Sequence, residues 1–162
     1  MKKKIWIMVL LIVGLFTGLY LLIILNPPME TGTLASNGDR HVVVVGVGNK
    51  GIHEVKIAKV TVNNDEEPFK TKIQVSHALQ GFIIVDDETN KEAKKYNFKS
   101  LEDVGIQTGT APSTILEKQN TNKATEDDKL YGITVFHHEP IRQVTIYYRY
   151  LGVSFRESVS FQ

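Results

Sequence analysis

Cysteine is missing from all 162 residues. That excludes disulfides, thiol nucleophiles, thiolate metal ligands and lipidation of an N-terminal cysteine. Tryptophan occurs once, as Trp6. No Asn-x-Ser/Thr acceptor is present, so N-glycosylation is not expected. The motifs of hydrolysis are missing as well. No serine stands in a G-x-S-x-G elbow, and neither His53-Glu54-Val55-Lys56-Ile57 nor His138-Glu139-Pro140-Ile141-Arg142 completes H-E-x-x-H. Charge of one sign is not in excess either: 19 Lys and Arg meet 18 Asp and Glu. With Lys2, Lys3 and Lys4 set aside the remainder is slightly acidic. It offers no electrostatic footprint for nucleic acid and no polybasic grip on anionic lipid. A non-enzymatic protein is expected, with no cofactor and no assigned metal ligand.

What is present begins with an uncharged apolar run from Ile5 to Leu25, preceded by the three lysines and stopped by Asn26-Pro27-Pro28. At about 1.5 Å per residue a helix of that length crosses the roughly 30 Å hydrocarbon layer. The run is longer than the apolar core of a cleaved signal, and no small-residue cleavage site follows it closely, so it reads as an uncleaved signal anchor. Lysines on one flank, against Glu30, Asp39 and a single Arg40 on the other, place the N-terminus in the cytoplasm and residues 27–162 outside it. Gly14 and Gly18 form a GxxxG pair. Such spacing lets two membrane helices approach, hence a homodimer, though small residues are frequent in membrane helices anyway.

The chain then divides into a cytoplasmic stub (1–4), a span (5–26), a linker (27–39) and an extracytoplasmic domain (40–162). About 135 residues follow the span, enough for one core. Export without disulfides or glycosylation sites suits a bacterial cell envelope. Strands are expected at His41–Gly48, Val55–Val62, Phe69–Val75 and Gly81–Val85. A short surface helix is expected within Asp86–Lys95 and another after Ser100, where a capping-box pattern stands. Two short strands are expected in Ile106–Glu117 and a loop over Gln119–Lys129. Three strands close the chain: Leu130–His137, Gln143–Leu151 and Val153–Phe161. In the last, Val153, Phe155, Val159 and Phe161 alternate with Ser154, Arg156, Ser158 and Ser160. This pattern predicts an all-β domain, an antiparallel sandwich of immunoglobulin-like kind with one or two short helices, although the cysteine pair and buried tryptophan of antibody domains are lacking.

Gly46-Val47-Gly48-Asn49-Lys50-Gly51 is a GxGxxG after a valine run, with Asp65 at ribose-carboxylate distance. A nucleotide site there requires a helix after Gly51, and the β-branched Val55–Val62 favours a strand. A hairpin with positive-φ positions at Asn49-Lys50-Gly51 is the expected form. Five histidines (41, 53, 77, 137 and 138) and the acidic triplets at 65–67, 86–88 and 126–128 raise a divalent-metal alternative. Adjacent His137 and His138 face opposite sides of a strand, and no EF-hand spacing occurs. Tyr147 beside Arg149, on the exposed face of its strand, is the candidate surface for an unknown protein or cell-wall partner.

Overall fold

The computed structural model describes residues 2–85, 91 and 93–161. Helix α1, Lys2–Leu25, is followed after three residues by a β-rich domain. The segment Lys3–Leu25 is long and apolar enough to cross a membrane. Its side chains stand exposed except near the end, where Ile23 packs against the domain core. The Asn26 amide donates to the Leu22 carbonyl at 3.0 Å and closes the last turn.

Strands β1 (Met29–Ser36), β2 (Val42–Asn49), β3 (Val55–Val62), β4 (Lys70–His77), β5 (Phe98–Lys99), β6 (Gly105–Ile106), β7 (Lys129–Phe136), β8 (Gln143–Tyr150) and β9 (Val153–Ser160) form two antiparallel sheets. The first has the order β1-β2-β7-β4-β5 and the second β6-β3-β8-β9. Their inner faces share one hydrophobic cluster. Val43, Val45, Val47, Ile73, Ile133 and Val135 come from the first sheet, and Val55, Val60, Val144, Ile146 and Tyr148 from the second. Between β6 and β7 lies helix α2, Pro112–Asn120.

The closing strands follow their sequence pattern. β8 and β9 are joined by Leu151-Gly152 with φ of 49° and 80°, the two positive values that a two-residue I′ hairpin needs. Edge strand β9 alternates half-buried and exposed side chains along its whole length. Glu157 sits on its inner side opposite Ile146, an inward charge of the kind that discourages edge-to-edge pairing.

Several expectations need correction. The linker contains a strand: Met29–Ser36 pairs with β2 as an edge, with a register break between Thr31 and Leu34. Its small polar residues conceal this, because one neighbouring strand supplies the hydrogen bonds and little apolar alternation is required. Gly81–Val85 is not a strand. Of the two short strands of Ile106–Glu117 only the first residue lies in a strand, β6; residues 107–111 connect it to α2, which starts at Pro112. Of Asp86–Lys95, residues 86–90 and 92 lie outside the described set, and Ala93–Tyr96 forms a 3-10 turn. Leu101–Asp103 is another such turn, without a side-chain cap from Ser100. Finally, β2 and β3 belong to different sheets, so the glycine-rich segment is an intersheet connection rather than a hairpin. None of Asn49, Lys50 and Gly51 has positive φ.

Candidate functional site

The outer face of the first sheet builds the site. Gly46 of β2 and Gly132 of β7 are cross-strand partners. A Cβ on Gly132 would lie 2.7 Å from the Phe82 ring, and one on Gly46 would lie 3.2 Å from it. Glycine in a strand interior marks such close approaches. Here the paired glycines leave a window that the Phe82 ring occupies. Residues 81–85 cross this face without joining the sheet because Gln74 holds them. Fully buried on β4, its amide donates to the Ile83 carbonyl (2.8 Å) and the Thr134 hydroxyl (2.7 Å), and its oxygen accepts from the Ile83 N–H (3.0 Å). A side-chain amide thus replaces the missing strand partner.

Helix α2 lies over β1 on the same face. Pro112 at its first position has no N–H to satisfy, and it packs where a Cβ on Gly32 would otherwise stand. Ala111 before it cannot cap. The cap is Glu30 on β1, whose carboxylate accepts from the Ser113 N–H (2.8 Å) and the Ser113 hydroxyl (3.1 Å). A carboxylate also complements the partial positive charge of a helix N-terminus. At the other end Gln119 donates to the Ala78 carbonyl at 2.7 Å. Between α2, β1 and residues 81–84 remains a groove of about 780 Å³, lined by Phe82, Ile84, Ile115, Leu116 and Leu130 with Glu30, Thr31 and Ser113 among its polar wall. Leu116 is 56% exposed at its edge.

The glycines of the GxGxxG segment serve packing. Gly48 passes so close to the Thr110 carbonyl that no side chain fits, and the space over Gly51 holds Pro28 and the Tyr150 hydroxyl. Asn49, fully buried, donates to the carbonyls of His53 (2.6 Å) and Ile106 (2.9 Å) and accepts from the Gly51 N–H (2.8 Å). The following segment is strand β3. The segment after Gly51 opens no helix, and the α2 N-terminus that packs on Gly48 is capped by Glu30, so the strand–glycine loop–helix order of a dinucleotide fold is missing.

Tyr147 and Arg149 both project from the outer face of the second sheet. The Tyr147 hydroxyl donates to Asp65 at 3.0 Å, and the Arg156 guanidinium lies 5.6 Å from its ring centre. Hydrogen bonds from Tyr147 and then Thr61 hold the Asp65 carboxyl below its usual range. Tyr147 is therefore engaged within the chain, whereas Arg149 is exposed.

The histidines divide between the two ends of the domain. His137 is buried with Nε2 3.2 Å from Glu66, the His41 ring meets the His137 carbonyl at 3.1 Å, and His138 stacks on Phe69. His53 and His77 belong to the opposite end. The acidic triplets at 65–67 and 126–128 are likewise at opposite ends, one after β3 and one before β7; residues 86–88 lie outside the described set. Among the described residues no three His, Asp or Glu side chains form a metal-ligand group. Gly14 and Gly18 have no atom within 4 Å of an added Cβ, which leaves that face of α1 open in the single chain.

Comparison of the chain with protein-family models, curated proteins and solved structures gives no match. The sequence missed the groove because its walls come from five separate segments. The one signal for it was the pair of glycines inside two apolar strands.

Proposed function

We propose that the protein is a single-pass, membrane-anchored binding module of the cell envelope, non-enzymatic, which receives an apolar part of a protein partner in the groove beneath α2. The groove carries this reading. Its volume of about 780 Å³ falls within the roughly 300–1,000 Å³ of ligand sites, and its wall is apolar with a few fixed polar groups. What favours binding over turnover is the chemistry of that wall. Among its described lining residues the titratable side chain on the groove side is Glu30, since the Tyr131 ring turns into the core between the sheets. Glu30 is occupied by Ser113.

The fold reading goes with it. Without the two-residue strands β5 and β6, the sheet orders become β1-β2-β7-β4 and β3-β8-β9. That order corresponds to the ABED and CFG order of a constant-type immunoglobulin sandwich, and it supports reading the domain as immunoglobulin-like, a scaffold used widely for recognition. The α2 side of the groove then belongs to the long D–E connection. Three lysines before the span support a cytoplasmic N-terminus and an extracytoplasmic domain. The open Gly14–Gly18 face supports a homodimer through α1.

Photo-crosslinking groups placed at Leu116 and at Tyr147 in intact cells test the site. The reading expects an adduct at position 116 that disappears when Leu130→Trp fills the groove. Adducts at position 147 alone would move recognition to the second sheet and its Arg149. External protease acting on a C-terminal tag in unlysed cells tests the orientation, with removal of the tag expected.

A further inference from the structure

We infer that the base of the domain, the end from which α1 departs, seats on the bilayer, with Ile52 and Leu151 inserted at the headgroup–acyl boundary. The inference rests on reading α1 as a membrane span. From Leu25 to Met29 four Cα steps reach at most roughly 14 Å. Ile23, inside the apolar helix, already packs against the domain core. The base therefore has no room to stand away from a membrane that α1 crosses.

Antiparallel pairing fixes what that base presents. β1 starts there, so β2 ends there, β7 starts there, β4 ends there, β3 starts there, β8 ends there and β9 starts there. The tips beside the helix exit are the β2–β3 loop and the β8–β9 turn, joined to it by hydrogen bonds. The Lys50 N–H donates to the Pro28 carbonyl at 2.9 Å, and the Ile52 N–H donates to the Tyr150 hydroxyl at 3.0 Å. The loop after β4, with exposed Leu79, and the loop before β7, with Glu126, Asp127 and Asp128, share this end on the first sheet.

Both tips beside the helix exit carry apolar side chains that the domain leaves largely (Ile52) or about half (Leu151) uncovered. Ile52 is 80% exposed, more than any other large hydrophobic side chain among the described residues, those of α1 included. Leu151 is 47% exposed and holds φ of 49°. The other non-glycine residues with positive φ among the described residues are Arg40, Asn63, Asp65, Asn97 and Asn122, all polar. Left-handed turn positions favour Gly, Asn and Asp, so a leucine there is strained without a compensating core contact. Transfer into lipid supplies the missing partner, since apolar surface leaves water at the interface. Exposed Arg149, two residues before Leu151 on the outer face of the second sheet, then stands at the height of the headgroups.

The chain has no cysteine, so Ile52→Cys, Leu151→Cys, Ile12→Cys and Phe69→Cys each create a single labelling site in the full chain. Each variant is labelled with a fluorophore and reconstituted in phosphatidylcholine vesicles. Quenching is read from lipids spin-labelled near the head of the acyl chain and from iodide present on both sides. Position 12 marks the span. Position 69, 57% exposed, marks the opposite end of the domain. Positions 52 and 151 are expected to be quenched several-fold more by the labelled lipid than position 69, and several-fold less by iodide. If position 12 is quenched by lipid while 52 and 151 behave like 69, the seating is overturned and the anchor stands. If position 12 is not quenched by lipid, the anchor reading falls and the seating falls with it. Shielding of 52 and 151 from both quenchers would mean that protein covers the base, which also overturns the inference.

Discussion

Gln74 supports the groove from below. Its amide fastens residues 81–85 to the sheet through two hydrogen bonds to Ile83, and Phe82 is positioned as a result. Gln74→Leu removes those bonds and the one to Thr134, and is expected to lower unfolding free energy by roughly 1–3 kcal/mol. A urea titration checks it, and an unchanged midpoint would show that the segment is held otherwise. Tyr148 is a different case, buried in the core with its hydroxyl near the Met29 backbone but without a well-formed hydrogen bond among the described residues. Burial, then the Glu157 carboxylate, pushes its pKa from 10.0 up to about 12. A group raised in this way contributes stability that is complete below the unfolded value near 10 and is lost as pH rises towards 12. Tyr148→Phe should therefore stay within about 1 kcal/mol of the parent at neutral pH. It should also show a smaller alkaline loss of melting temperature. Neither residue was legible in the sequence. A glutamine between Ile73 and Val75 looks like any strand residue facing water, and three tyrosines in one strand do not reveal which hydroxyl is stranded.

At the scale of elements, legibility followed locality. β7, β8 and β9 were readable because alternation, β-branching and a Leu151-Gly152 turn all lie within the segment itself. The valine run of β2 was readable as a buried strand for the same reason: its continuous apolar character reflects cover on both faces. α2 was not readable. Thr114 and Ile115 argue for a strand, and the cap that rescues the helix is Glu30, 83 residues earlier in the chain. β1 was hidden likewise, since its partner is β2 and its own composition resembles a linker. Glu30→Ala is expected to cost about 0.5–2 kcal/mol. It should also speed amide exchange in α2 more than in β7 or β8. Equal protection of α2 in parent and variant would show that packing on Gly32 and Gly48 suffices without the cap.

For the whole molecule, the long apolar helix and the β-rich character of the domain were legible from length and periodicity, while the groove required five distant segments to meet. The place of β1 makes a sharp prediction about where the domain begins. A truncation starting at Pro27 retains β1 and should fold, giving a β-type circular dichroism spectrum with a cooperative melt. One starting at Arg40 strips β1 from β2, opens a hydrophobic edge and should aggregate. Folding of the shorter chain as a stable monomer would return residues 27–39 to the role of linker. If α1 spans a membrane and the groove holds a partner, as proposed, then β1, which follows α1 after only three residues and also walls the groove, carries the load between them. A tug directed away from the bilayer runs lengthwise along β1. The ladder between β1 and β2 then resists in shear, its hydrogen bonds strained together rather than peeled open singly from one end.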